Sequence, residues 1–400
     1  MRQSGQKSTP LSGGRRRRFS RDVAGCATTG GMWRPGLPPN LQTVFDRHAD
    51  LFPACAACVF TPETVRFATA GTAVMLSATS REGAAVPVDE HTCFDLASLT
   101  KALATAPAVF ALAAEGRLDL DDPPHHILSL TREPLRSHLA AVRLVQLLNH
   151  SAGLPAYAPF FETCTSPDQL LAALGTLVPA GPAGENSLYS DIGYIILGHH
   201  LSSILGEPWT DWAQGTLYEP RGLRFSFWGV PPGAALACNQ EPGGAFGGQV
   251  HDENARILGP ACGQAGLFGS LAQVTAWLQI LREIGSGRSS GPLQPESVRR
   301  MWTPLRPDDA FTPGFDRPSR AGFTTAGDTV ERDTTVGHLG FSGTAFWLHP
   351  PTGRGGVLLT NRVALGRHTF MQELRTFRSE FFTEVWRSIF YGRYTPESVS

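Results

Sequence analysis

The tightest constraint on how this chain folds lies in FDLASLTKALAT, from Phe94 to Thr105, where an apolar helical stretch carries Ser98 and, three residues on, Lys101. Leu99, Leu103, Ala106 and Phe110 follow at the period of one helix face, and Gly116 stands where a C-cap would end the helix. Pro107, inside the pattern, predicts a kink. On a helix, residues i and i+3 share a face with their Cβ atoms about 5–6 Å apart, so an amine at 101 reaches a hydroxyl at 98. That neighbour can turn a serine into a nucleophile. The spacing alone proves little, because Ser4 and Lys7 repeat it.

Composition adds weight to Lys101. Of the 34 lysines and arginines, only Lys7 and Lys101 are lysine. Arginine stays protonated at any ordinary pH, whereas a desolvated lysine can lose its proton and serve as a base. The competing reading, a surface lysine on a helix, sits poorly with the alanine, leucine and threonine around it.

A chain of 400 residues, 42% hydrophobic and 17% charged, can bury a large core. The net charge of -1 hides an asymmetry: residues 1–36 carry eight basic residues against one aspartate, so a basic tail precedes an acidic body. Arg15 to Arg18 lie among Ser, Gly and Pro, and the tail, residues 1–37, reads as disordered. No apolar run of 7–15 residues follows these arginines, so the core of a secretory signal is missing, and no stretch is long enough to span a membrane. A cytoplasmic protein without a nucleic-acid partner is the expectation, with an exported one the alternative if the start codon is wrongly chosen. The seven cysteines, scattered from Cys26 to Cys262, give no disulfide framework, and Cys55 and Cys58 read as buried thiols in a strand. His125-His126, His199-His200 and His251-Asp252 fit no metal-binding spacing, so no metal site is predicted; His251 and Gln264 are read as bordering the cleft or as loop structure.

In chain order, Leu41–His48 reads as a helix, and Ala54–Thr61 and Thr72–Thr79 as strands of a hairpin. Between residues 117 and 250 the patterns are helical: Val142–Leu148, Pro167–Leu177 and Ile192–Leu205, separated by Gly/Pro turns. Another helix starts at the N-cap Ser270 and a Gly/Ser-rich break follows at 285–291. Strands return at Thr344–His349 and Gly355–Asn361, and a helix over Phe370–Phe390 closes the chain.

Further stretches change the weight of Ser98 and Lys101. They are Tyr189-Ser190-Asp191 before an apolar helix, His338-Leu339-Gly340 ahead of a strand, LLNHSAGLP from Leu147, and VHDENARILGPACGQAGLFGS from Val250. In this order they resemble the serine β-lactamase and penicillin-binding protein superfamily, in its class C or esterase-like branch, over roughly residues 40 to 390. The resemblance implies an α/β (α+β), β-lactamase/transpeptidase-like fold. Residues 38–116 and 261–392 would form an antiparallel sheet flanked by helices, 117–260 a mainly helical inserted domain, and the cleft between them the site.

The resemblance also implies roles. Ser98 attacks a carbonyl, while Lys101 and Tyr189 share its proton, the phenol becoming a useful base only if Lys101 lowers its pKa. The backbone N–H groups of Ser98 and Phe341 hold the oxyanion, helped by the positive end of the Ser98 helix. Asp191, His338, Gly340 and Asn149 meet the substrate, and His150 braces a turn nearby. No metal or organic cofactor is implied. Asp191 stands in place of the branch's usual asparagine, Leu339 in place of threonine and His338 in place of lysine. These departures point away from a β-lactam and towards a carboxylic ester, small amide or D-amino-acid peptide, with Asp191 favouring a cationic group. A β-lactamase or penicillin-binding carboxypeptidase is the alternative within the class. From outside it come a catalytically inactive scaffold relative and a tail acting as a nucleic-acid tether. Oligomeric state is left open.

Overall fold

The computed structural model describes residues 32–75, 84–230, 234–237, 239–241, 244–246, 248–288 and 291–388. The arginine run and Cys26, the predicted strand residues 76–79 and the end of the last predicted helix at Phe390 lie outside them.

The main path of the central sheet draws its strands from both ends of the chain, while Ala84–Pro87 and Ala235–Leu236, the latter from the stretch read as helical, pair with Thr64–Met75 beside it. Its order is Met32–Pro35, Thr64–Met75, Ala54–Phe60, Arg354–Thr360, Ala345–His349, Val336–Leu339, Phe315–Asp316 and Phe311–Thr312. Every neighbouring pair in this order is antiparallel except the first. Met32–Pro35, read from sequence as part of a disordered tail, is instead an edge strand paired in parallel with Thr64–Phe67, and Leu37 after it is buried. Ala54–Phe60 joins the two ends, with Cys58 opposite Val357 on one side and Phe67 on the other. Its sequence, ACAACVF, lacks polar alternation because both faces are covered. Cys55, Ala57 and Val59 pack with Leu41 and Phe45 of helix Pro39–His48 and with Phe377 and Phe381 of helix Met371–Trp386. Ala54, Ala56, Cys58 and Phe60 join the other cluster, which holds Val274 and Leu278 of helix Leu271–Gly285. Cys55 and Cys58 are thus buried thiols, raised by loss of solvent.

The second hairpin strand starts at Thr64, not Thr72. The turn is short: Thr61 Oγ1 accepts from the Glu63 and Thr64 N–H groups, letting Val65 pair opposite Phe60. His338, expected ahead of a strand, lies within one, opposite Phe346.

Helix Asp191–Leu205 begins at its N-cap Ser190, whose hydroxyl accepts from Gly193 N–H, and helix Leu271–Gly285 begins at Ser270 with a reciprocal Gln273 box. In place of a simple kink at Pro107, the chain widens into a π-helix over Lys101–Thr105 before α-helix Ala106–Ala114. Proline has no N–H for the Leu103 carbonyl one turn back. That oxygen accepts instead from Tyr218 Oη at 2.8 Å and Trp277 Nε1 at 2.9 Å. Among the described residues no helix is long and apolar enough to cross a membrane.

Candidate active site

Ser98 sits in a tight turn after the strand pair Phe94–Asp95, half-buried among residues that are buried. Asp95 shapes that turn: its Oδ1 accepts from Ala97 N–H at 2.8 Å, with Ala97 held at φ 48°, and its Oδ2 accepts from His251 N–H at 2.8 Å. A left-handed conformation is costly for alanine, so the carboxylate supports a strained turn beside the serine. Burial pushes Asp95 up to about 6.

Lys101 is fully buried. Its Nζ donates to Ser98 Oγ at 3.0 Å and to the Gln264 carbonyl at 2.9 Å, and lies 2.8 Å from Asp191 Oδ1. It also stands 5.0 Å from the ring centre of Tyr189 and 5.5 Å from that of Tyr194. The Gln264 carbonyl arrives there because the 261–264 loop presses against helix Asp191–Leu205 at paired glycines. A Cβ on Gly263 would collide with the Tyr194 carbonyl, and one on Gly198 with that of Ala261. Thr105 Oγ1 clamps the same loop by donating to Gly263 O, and Thr100 Oγ1 holds the strand Leu267–Gly269 after it by accepting from Leu267 N–H.

These contacts reverse two expectations about proton transfer. Burial by itself pulls Lys101 down, but the Asp191 carboxylate and Tyr189 outweigh it, and the amine stands above its ordinary value. It rests as a cation, not as a free base. Tyr189 is pushed up to about 12 by burial and by the charges of Asp191 and Asp316, which overcome the opposing pull of Lys101. Lys101 alone therefore does not make the phenol acidic. Asp191 is also not simply a free charge facing substrate, since Lys101 already pairs with it.

His150, at φ 59°, accepts from Ser190 N–H through Nδ1 at 3.0 Å, and its ring packs 4.5 Å from that of Tyr189. Burial and the Lys101 charge hold it well below its ordinary pKa, so the ring is neutral. It braces the turn that presents Tyr189. His338 is also buried and pulled below its ordinary value, so its Nδ1–H donates to the Leu339 carbonyl at 2.9 Å. Its ring lies 6.1 Å from Tyr189.

Gly340 closes this side: a Cβ there would strike Thr344 Oγ1 and come within 2.9 Å of the Leu96 carbonyl. Ser342 Oγ and Thr344 Oγ1 donate to the carbonyls of Asp95 and Leu96 at 2.7 and 3.1 Å, so the 340–344 turn is bonded to the turn carrying Ser98. Among the described residues neither the Ser98 nor the Phe341 N–H has an acceptor. Phe341 exposes its ring, stacked 5.8 Å from His251.

Ser98, Lys101, Tyr189, Asp191 and His338 are thus brought together, with Phe341 and Gly340 at the edge of the Ser98 turn. Asn149 is fully buried, its Oδ1 accepting from Ser151 Oγ at 2.6 Å and its Nδ2 donating to Asp309 at 3.4 Å, and among the described residues it forms no hydrogen bond with the other candidate residues. Gln264 meets the site through its backbone, and His251 through Asp95 and Phe341. The histidine pairs away from the cleft form no group of three metal-ligating residues among the described residues, though the His126 and His200 rings lie 5.0 Å apart. Sequence reading missed Asp95, which lies within the same stretch, and two arginines, Arg362 and Arg378, which touch the 340–344 turn.

The Beta-lactamase family profile matches residues 42–376, and the chain belongs to that family. It is a β-lactamase-fold enzyme of the serine hydrolase type. A protein of Salmonella paratyphi A named putative D-alanyl-D-alanine carboxypeptidase is 27% identical over 302 residues, covering 68% of this chain and 70% of that protein. Among solved structures, a class C β-lactamase overlays with a TM-score of 0.64 at 19% identity, covering 87% of this chain and all of the other (100%). EstCE1, described as a hydrolase with promiscuous acyltransferase activity, overlays at 0.60 with 19% identity, covering 85% and 97%.

Proposed function

We propose that the protein hydrolyses a carboxylic ester, a small amide or a D-amino-acid peptide through an acyl-enzyme on Ser98. The observation that carries this reading is the 3.0 Å approach of the buried Lys101 amine to a serine that remains open to solvent. A surface lysine would not be fully buried, and a scaffold has no need for an ammonium aimed at a hydroxyl.

The charges set the order of proton movement. The resting pair holds one proton too many to act as a base: Lys101 is a cation and Tyr189 a neutral phenol. Loss of one proton leaves a phenolate beside the Lys101 cation. That oxygen takes the Ser98 proton as the Oγ–carbon bond forms, and returns it to the leaving oxygen or nitrogen as that bond breaks. Water then repeats the sequence on the acyl-enzyme, freeing the acid and restoring Ser98. The Ser98 and Phe341 N–H groups hold the carbonyl oxygen while it is negative.

The name of the Salmonella relative favours a D-amino-acid peptide as second substrate class. The replacements at Asp191, His338 and Leu339 weigh against a β-lactam, because the hydroxyl and fixed cation suited to its carboxylate are absent. The test compares p-nitrophenyl esters, a D-alanyl-D-alanine peptide and a penicillin on the wild type and Ser98→Ala. Serine-dependent turnover of an ester or of the peptide supports the reading. Turnover of penicillin alone supports the β-lactamase alternative.

A further inference from the structure

Two buried guanidinium groups end on the turn that follows His338. Arg378 of helix Met371–Trp386 donates from Nη2 to the Gly340 carbonyl at 2.8 Å and to the Thr344 carbonyl at 2.7 Å. Arg362 donates from Nη2 to the Phe341 carbonyl at 2.6 Å. Arg362 is fully buried and Arg378 nearly so. Among the described residues neither has a carboxylate within ion-pair distance, and the Nε of each lacks a partner. Burying a guanidinium without an ion pair is expensive. A neutral amide could satisfy these carbonyls at less cost, so the positive charge calls for another explanation.

The backbone supplies one. The Gly340 carbonyl and the Phe341 N–H belong to one peptide, and in a trans peptide they point in opposite directions. The only cis bond among the described residues is Glu133–Pro134, so the Gly340–Phe341 bond is trans. Fixing the Gly340 oxygen on Arg378 therefore aims the Phe341 N–H away from that helix. A cation on the oxygen also draws electrons from the nitrogen and makes the N–H a stronger donor, as hydrogen bonds in chains polarise one another. On its other side the turn is bonded to Asp95 and Leu96, next to Ser98. Burial pulls Arg378 down to about 9, so it still carries its charge at neutral pH.

We propose that Arg378 is a positioning residue for the oxyanion: it aims and polarises the Phe341 N–H towards the oxygen that becomes negative when Ser98 attacks. Arg362 holds the following carbonyl and adds to the positive field behind the turn. The inference rests on the reading of Ser98 as the nucleophile.

Arg378→Gln keeps an N–H donor and removes the charge; Arg378→Lys keeps the charge. Steady-state ester hydrolysis, the melting temperature and inhibition by phenylboronic acid, whose tetrahedral adduct carries the negative charge, are measured on both. Removing one oxyanion donor costs about 10²–10³ in kcat, so weakening one predicts a loss of about 10- to 100-fold in Arg378→Gln with KM within about threefold. Phenylboronic acid should weaken by the same factor, and Arg378→Lys should recover at least about threefold of the lost rate. The proposal is overturned if Arg378→Gln keeps kcat within about threefold of wild type. It is equally overturned if kcat, KM and melting temperature all worsen together with Lys no better than Gln, the pattern of a purely structural residue. Should Arg378→Gln not fold, Arg378→Lys decides: a loss beyond about 10-fold at an unchanged melting temperature contradicts a role for the charge. Wild-type protein without Ser98-dependent hydrolysis would overturn the nucleophile reading and this proposal together; activity lost in Ser98→Ala but unaffected in Arg378→Gln would overturn this proposal alone.

Discussion

The Lys101 ammonium lies 2.8 Å from Asp191 Oδ1, at the position where the class C branch carries an asparagine. The pair settles the resting charge of the site. It holds Lys101 as a cation above its ordinary value near 10.5, and the Asp191 charge helps push Tyr189 up to about 12.

Removing that carboxylate should move the active pH range. In Asp191→Asn the cation loses its partner and the phenolate loses a repelling neighbour, so both groups release protons more easily. The acid limb of kcat/KM, followed from about pH 6 to about pH 11, should shift down by about 1 unit or more. An unmoved limb would show that this pair does not set the reactive protonation state. In the wild type, the pair's stabilising contribution is complete below about 10.5 and is lost only as pH rises through the higher folded value of Lys101, so it survives across the assay range where activity climbs.

Lys101→Arg keeps a positive charge but not an amine that can share its proton, and the larger fork does not fit the same contacts. It should lose about 10²–10⁴ in kcat/KM, close to the loss in Lys101→Met. Arginine retaining most of the rate would assign Lys101 a purely electrostatic part.

Asp252 caps helix Glu253–Leu258 through Oδ1, which accepts from Ala255 N–H at 2.7 Å. Burial and the Asp191 charge push it up to about 6 from 3.8. A carboxyl raised on folding costs nothing below its unfolded value, is penalised increasingly as pH rises from that value to its folded one, and carries the full penalty above it. Asparagine caps a helix as well as aspartate, so Asp252→Asn should raise stability at pH 8 by up to about 3 kcal/mol, with the advantage vanishing near pH 4. Thermal melts of both proteins at the two pH values check this, and an advantage that grows towards acid would contradict the sign.

Gly340→Ala drives a methyl into Thr344 Oγ1 and the Leu96 carbonyl. Moving the 340–344 turn off the Ser98 turn should cost about 1–3 kcal/mol of stability and at least about 10-fold in kcat. Urea unfolding and ester kinetics read the two effects separately; full activity would mean that this turn is not needed for catalysis.

Much of this site was legible because its chemistry sits in contiguous motifs. Ser98 and Lys101 share one helical turn, and Tyr189 and His338 sit beside residues that mark the family. The sheet joining both chain ends followed from that resemblance rather than from periodicity, since strand Ala54–Phe60, buried on two faces, carries no alternation. The charge on Lys101 was not legible, because it is set by Asp191, 90 positions away in sequence, and by Tyr189, which only the fold brings beside it. Arg362 and Arg378 are indistinguishable in sequence from surface arginines until tertiary packing buries them. Asn149 shows the converse: a residue inside a recognisable motif whose side chain serves the loop that carries it.

The central claim is that Ser98 is the acylated residue. Its most direct test is peptide mass spectrometry of the wild type and Ser98→Ala after reaction with a fluorophosphonate. A single adduct on the peptide containing Ser98, absent from the alanine variant, is the predicted result. An adduct on another residue, or an equal adduct in both proteins, would contradict it.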